Sequence, residues 1–174
     1  MAESKRQTAY ETSVVDHFYR LGYRHFERRQ VVAMWERPML TGQRGRPEAV
    51  DIALFDAQEA TETRIEFGEY KRSKLRDDSR KLARLHRQAE PDYSTVISYL
   101  ILWHEIVAKL TESRVKAWLN TVRTDAAQVT AGTLADIGAG VVPQLVSAVD
   151  LFSERAGQHR IALVGLFSVR MSDE

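Results

Sequence analysis

Two stretches of the chain decide the fold and carry the candidate chemistry. Residues 50–54 read VDIAL and residues 64–71 read RIEFGEYK, with the polar segment 57–63 between them. Each stretch is a short run of apolar and β-favouring residues in which charged residues stand singly, and a polar segment separates the two. This pattern predicts two consecutive strands joined by a loop.

Alternation along the second strand brings opposite charges together. Side chains of an extended chain repeat every two residues, so Glu69 and Lys71 are expected to share one face while Glu66 and Tyr70 point to the other. With Asp51 from the preceding strand, they place two carboxylates beside an ammonium group. Such a set suits a divalent metal, with a cation left for an attacking water or a phosphate oxygen. The alternative is an edge hairpin whose charges face water.

This arrangement resembles the PD-(D/E)xK nuclease superfamily, whose signature is an acid on one strand and (D/E)-x-K on the next. Asp51, Glu69 and Lys71 match that signature. The resemblance covers residues 10–103. The chain departs from the usual pattern in having Val50 in place of a proline, and it lacks the Gln-x-x-x-Tyr motif of recombination-type exonucleases.

Hydrophobic periodicity and turn signals along the chain predict the order of elements. The predicted elements are a helix over 8–21, strands over 23–35, 50–54 and 64–71, a helix over 74–89, a strand over 93–103, a helix over 105–122, an irregular or weakly helical segment over 124–140, and ordered structure over 145–152 and 160–169. This α-β-β-β-α-β order is that of the restriction-endonuclease-like core, an α/β fold whose mixed central sheet is flanked by helices. We expect one nuclease-like domain over 1–174, with a core at about 8–104 and an extension over 105–174 that adds a helix and strands.

The resemblance implies a role for each site residue. Asp51, Glu69 and the backbone carbonyl of Tyr70 are expected to bind Mg²⁺ or Mn²⁺. Lys71 is expected to orient or help to deprotonate the attacking water and to stabilise charge on the phosphate. Glu11 of the first predicted helix either adds a metal ligand or closes a capping box with Thr8.

Glu36, which follows the predicted strand over 23–35, has two interpretations of its own. It is either an auxiliary metal ligand or a solvated strand end. The sequence leaves both open.

Basic residues follow the motif at helical spacing. Nine Lys or Arg stand against four Asp or Glu between Arg64 and Arg87. Arg72, Lys74 and Arg76, which are nearest to the motif, are expected to contact phosphates without reading base sequence. The alternative is that these side chains form a solvated helix face.

These expectations lead to a metal-dependent nuclease that hydrolyses phosphodiester bonds of nucleic acid, with DNA favoured, in a repair, restriction, mobile-element or phage-defence setting. The alternative is a catalytically inactive nuclease-fold protein that binds nucleic acid or a protein partner. The net charge of +1 and the unassigned C-terminal third keep that alternative open. A homodimer is also consistent with this family, and the C-terminal third is the expected surface for a protein partner.

Composition sets the remaining bounds. The 174 residues are 44% hydrophobic and 28% charged, as in ordinary globular proteins. The chain has no cysteine, which excludes disulfides and thiolate zinc sites. Its first residues lack the apolar core of a secretory signal, and the apolar run over 96–103 is too short to cross a bilayer. We therefore expect a cytoplasmic protein without a membrane partner.

Overall fold

The computed structural model describes residues 31–39, 48–86, 94–153 and 158–172. The predicted helix over 8–21, and Glu11 with it, lie outside these ranges. The elements are β1 (Val31–Met39), β2 (Glu48–Asp56), β3 (Thr61–Glu69), α1 (Arg72–His86), β4 (Thr95–Ile106), α2 (Glu112–Val129), a π-helical turn (Thr130–Leu134), a 3-10 turn (Ala135–Ile137), β5 (Ala139–Ser153) and β6 (Gln158–Met171). Neither α1 nor α2, the helices in these ranges, has the length and apolarity needed to cross a membrane.

The six strands form one sheet in the order β1-β2-β3-β4-β6-β5. Antiparallel pairing joins β1 to β2, β2 to β3 and β5 to β6. At the start of β4, the Thr95 N–H donates to the Ala60 carbonyl over 3.2 Å, and near its end the Trp103 carbonyl accepts from the Tyr70 N–H over 2.6 Å. Because the starts of β3 and β4 lie together and so do their ends, these two strands run in the same direction. The predicted α/β class is confirmed, with three strands, a helix and a strand in the expected order.

The chain divides into two compact units. The first includes the described residues up to Phe67 together with 85–98, and the second includes 68–84 and the described residues from Tyr99 onward. Both β3 and β4 contribute residues to each unit. The single domain expected from the sequence stays a prediction, and each unit is described below by itself.

The core of the first unit comes from the alternating apolar residues of neighbouring strands. Its buried apolar side chains include Met39, Val50, Ile52, Phe55, Ile65 and Phe67. On β3 this apolar row occupies one face only. The opposite face buries charge, because the side chains of Glu62 and Arg64 are both 0% exposed.

The buried Glu62–Arg64 pair makes several hydrogen bonds and one further charge contact. Arg64 donates through Nε to Glu62 Oε1 and through Nη2 to Oε2, each over 2.8 Å, and through Nη1 to the backbone carbonyl of Leu85. Arg37 adds a cation 3.7 Å from the Glu62 carboxylate, and its guanidinium lies 4.4 Å from the centre of the Phe55 ring. Since Leu85 is in the last turn of α1, Arg64 satisfies a carbonyl that the helix itself leaves unbonded.

In the second unit, α1 has a buried apolar face and an exposed basic face. Leu75 and Leu82 are buried, whereas Arg76, Arg80 and Arg84 on another face are exposed. The register of the helix therefore agrees with the spacing of its leucines.

The start of α2 was predicted too early. The strand β4 continues to Ile106, where Glu105 accepts a hydrogen bond from Arg160 over 2.9 Å. The helix begins only after Thr111, whose hydroxyl accepts from the Arg114 N–H over 3.4 Å as an N-cap. It buries Trp118, Val122, Ala126 and Val129.

The C-terminal strands form a long hairpin. Its register runs from Ala139↔Met171 to Ser153↔Gln158 and shifts between Pro143 and Leu145. At that bulge the Gln144 amide donates to the Ser168 hydroxyl over 2.8 Å. The segment predicted as irregular or weakly helical is the end of α2 followed by the π-helical and 3-10 turns.

We expect the loss of Arg64 to lower stability strongly, because the buried Glu62 carboxylate then loses two hydrogen bonds and the neighbouring positive charge of Arg64. Arg64→Met should lower the free energy of unfolding by about 3–5 kcal/mol. The double variant Glu62→Leu/Arg64→Met should lose much less, since no buried charge then remains. Urea unfolding checks both values. The matched control is Lys116→Met, which breaks an exposed ion pair with Glu112 (2.6 Å) and should cost less than about 1 kcal/mol. A single variant as stable as the double variant would contradict the expectation.

Candidate active site

Asp51 lies in the middle of β2 and is held by the neighbouring strand. Its side chain is half-buried, and its neighbours in sequence, Val50 and Ile52, are buried. The carboxylate oxygen Oδ2 accepts a hydrogen bond from the Phe67 N–H of β3 over 2.8 Å. The bond fixes the orientation of the carboxylate and turns it toward β3.

Glu36 was predicted to follow a strand, and this was wrong, because β1 continues through it to Met39. The register pairs Trp35 with Ile52 and Arg37 with Val50, so Glu36 stands opposite Asp51 in the ladder. Its backbone has a φ of 43°, in the left-handed region, and its side chain is exposed. Most non-glycine residues avoid this conformation.

Glu69 and Lys71 meet where β3 ends. Glu69 is the last residue of the strand, and the Lys71 ammonium lies 3.1 Å from its Oε2 atom. The strand was predicted to continue to Lys71, but it ends at Glu69, so the two side chains meet at the strand end and not along a strand face. The two side chains are 39% and 58% exposed, so both groups are open to a ligand from solvent.

Tyr70 lies between them in sequence and packs into the second unit. Its N–H donates to the Trp103 carbonyl over 2.6 Å, and its hydroxyl donates to Asp125 Oδ2 over 2.7 Å. The ring meets Trp118 edge-on at 4.5 Å between centroids and stacks on Phe167 at 6.4 Å. Exposed Glu69 and Lys71 thus flank an anchored tyrosine.

The environment of Tyr70 suppresses its ionisation. Burial raises the pKa of Tyr70 well above its ordinary value, and the hydrogen bond to Asp125 and the charge of Asp125 raise it further. The Arg72 guanidinium lowers this pKa but does not offset the other effects. The hydroxyl is therefore a hydrogen-bond donor at neutral pH and does not serve as a base.

Each basic residue expected to bind phosphate has an acidic partner. Arg72 lies 3.9 Å from Asp125, Lys74 lies 2.9 Å from Asp78, and Arg76 lies 2.8 Å from Asp77. The hydrogen bond from Arg76 lowers the pKa of Asp77, so this partner stays ionised. The positive charge after the motif is therefore largely compensated locally, which the spacing of the arginines alone did not indicate.

The side chain of Lys74 lies against the backbone of Gly68. The Lys74 side chain crosses the backbone of Gly68 so closely that a Cβ atom at residue 68 would collide with the Lys74 Cε, Cδ and Nζ atoms. A glycine next to (D/E)-x-K was the available sequence signal for such a close approach.

The donor atoms predicted from the sequence are of the types that a magnesium ion binds. Carboxylate and carbonyl oxygens are the ligands that Mg²⁺ prefers, and in proteins it commonly takes one or two carboxylates and keeps several waters. Within the ranges that the structure describes, no three His, Asp or Glu side chains gather as a metal-binding group. Asp51 belongs to the first unit, and Glu69, Tyr70 and Lys71 belong to the second.

No protein-family model, curated protein or solved structure matches this chain. Its function therefore has to be inferred from its own residues.

We expect Tyr70 to make stability fall at high pH. Because its folded pKa is raised, the stabilisation is complete below the unfolded value of about 10 and declines as pH rises above it. Wild type should therefore lose stability relative to Tyr70→Phe above about pH 10 and keep a constant difference at neutral pH. Chemical unfolding at a series of pH values measures this difference. The Tyr99→Phe variant serves as the control, and the same loss relative to this variant would contradict the assignment to Tyr70.

Proposed function

We propose that this protein is a metal-dependent nuclease that hydrolyses phosphodiester bonds of DNA. The observation that carries the proposal is the exposed Glu69–Lys71 ion pair at the end of β3. A carboxylate beside an ammonium group, both open to solvent, can hold a metal and a phosphate oxygen at adjacent positions.

The topology supports a restriction-endonuclease-like core. The strands β1 to β4 are neighbours in chain order, and α1 connects β3 to β4. The candidate residues come from β2 and from the end of β3, as the family signature requires. The finer assignment of the fold is part of this proposal.

Each residue has a separate role in the proposed reaction. Asp51, Glu69 and the Tyr70 carbonyl would hold Mg²⁺ or Mn²⁺. When bound, the ion lowers the pKa of a coordinated water and neutralises charge on the phosphate. Lys71, kept at 3.1 Å by Glu69, orients the attacking water and donates a charge-assisted hydrogen bond to the phosphate.

The role of Asp51 comes from the sequence pattern. Its hydrogen bond to the Phe67 N–H supports that role, because the bond turns the carboxylate toward the strand that ends on Glu69. The same bond limits the rotation of the side chain, and a pre-oriented ligand loses less freedom when a metal binds.

The test is cleavage of plasmid, linear and single-stranded DNA and of RNA, with Mg²⁺, Mn²⁺ or EDTA. We expect cleavage of DNA only with metal. Lys71→Ala should still bind Mn²⁺ and DNA while its turnover falls by roughly 100-fold or more, because its charge acts mainly in the transition state. Lys71→Arg should not restore the rate fully, since a guanidinium is larger and does not release a proton.

The matched control for Lys71 is Lys116→Ala. Lys116 is also an exposed lysine paired with a glutamate, at 2.6 Å, and it lies on α2 in the same unit. The Lys116→Ala variant should cleave DNA at the wild-type rate. Near wild-type cleavage by Lys71→Ala would contradict the proposed role. Binding of DNA without cleavage by wild type would favour the inactive nuclease-fold protein.

We expect phosphate binding by Arg72, Lys74 and Arg76 to show in the salt dependence of DNA affinity. Phosphates would have to replace the acidic partners of these residues. Removal of each phosphate-binding cation should flatten the slope of log affinity against log salt by about 0.9 for duplex DNA. The triple Gln variant should therefore bind more weakly to all sequences alike, which fluorescence anisotropy at several salt concentrations measures.

A triple Gln variant at Arg114, Lys116 and Arg123 removes the same charge from exposed positions of α2 and should keep the wild-type slope. An unchanged slope after replacement of Arg72, Lys74 and Arg76 would make this part of α1 a solvated helix face.

A further inference from the structure

One carboxylate from α2 reaches both neighbours of Lys71. Asp125 Oδ2 accepts the hydrogen bond of the Tyr70 hydroxyl over 2.7 Å, and its Oδ1 atom lies 3.9 Å from the Arg72 guanidinium. The Asp125 side chain is only 18% exposed. A single acid outside the sequence motif thus contacts the residue before Lys71 and the residue after it.

Several contacts hold Tyr70, which connects Asp125 to the segment Glu69–Lys71. Its backbone N–H is bonded to β4 through Trp103, and its ring is packed against Trp118 and Phe167. The hydroxyl bond to Asp125 fixes the far end of the same side chain. The residue between Glu69 and Lys71 is therefore held at its backbone N–H, its ring and its hydroxyl.

We propose that Asp125 is a positioning residue that, through the Tyr70 hydroxyl and with Arg72, holds the segment Glu69–Lys71 in the conformation that binds a divalent metal. This inference rests on the proposed function, because the metal site that Asp125 would support is the one proposed there. Asp125 belongs to the extension that follows the nuclease-like core. Residues behind metal ligands act in this way, and their loss commonly weakens metal binding by about 10-fold or more.

No pattern in the sequence indicated this role. Asp125 follows the predicted helix over 105–122, in a segment predicted as irregular or weakly helical, and it belongs to no motif. In the structure it stands on α2, one residue before buried Ala126 and three after buried Val122. That position turns an acid of an amphipathic helix toward the β3–α1 junction.

The experiment is a double-mutant cycle read by Mn²⁺ affinity. Tyr70→Phe removes the donor, Asp125→Asn removes the charge, and both are close in shape to the native residues. Isothermal titration with Mn²⁺ alone, at a temperature where circular dichroism shows each variant folded, measures binding without any need for cleavage. The control is Asp136→Asn, which removes an equal charge from an exposed position.

We expect each single variant to bind Mn²⁺ about 10-fold more weakly than wild type. The double variant should lose less than the product of the two single effects, because both substitutions weaken the same hydrogen bond. Asp136→Asn should bind like wild type.

Three results would overturn the inference. If wild type binds Mn²⁺ and the single variants bind equally well, Asp125 is a structural residue and the proposed nuclease site stands. If the effects of the two substitutions multiply in the double variant, Asp125 does not act through Tyr70. If wild type itself binds no Mn²⁺, the proposed function fails first, and the titration of wild type alone identifies this case.

Discussion

The structure depends on the burial of one ion pair. Glu62 and Arg64 lie on the same face of β3, fully buried, and charges in such a place are tolerated only when every polar group has a partner. Arg64 meets this need with two bonds to Glu62 and one to the carbonyl of Leu85, in the last turn of α1. The polar requirement of β3 therefore fixes the end of the helix that follows it.

The junction between β3 and α1 carries Glu69 and Lys71, two of the residues proposed for catalysis. Its side chains separate into two environments, an open pair, Glu69 and Lys71, and a packed residue, Tyr70, tied to Asp125. The open groups can meet a ligand, while the packed one restricts the backbone that carries them. A rigid backbone with exposed charged ends is what a binding site for a small, demanding cation requires.

Periodicity predicted the parts of the fold that depend on neighbours in sequence. The strands β2 and β3, the helix α1 and the charge pair Glu69–Lys71 follow from the spacing of residues along the chain. The burial of Glu62 and Arg64, the acidic partners of the basic residues and the role of Asp125 depend on three-dimensional packing. Spacing carries no information about these contacts. The start of α2 could have been placed better, since Thr111 is a good N-cap residue before Glu112.

The proposed function assigns Asp51 and Glu69 as ligands of a divalent metal. Calorimetric titration with Mn²⁺ of wild type, Asp51→Ala and Glu69→Ala tests it most directly, with thermal unfolding in the absence of metal as the check on folding. The claim predicts a single bound ion in wild type and the loss of binding in both variants. Wild-type affinity in either variant would contradict it and would move any metal site to other residues of the chain.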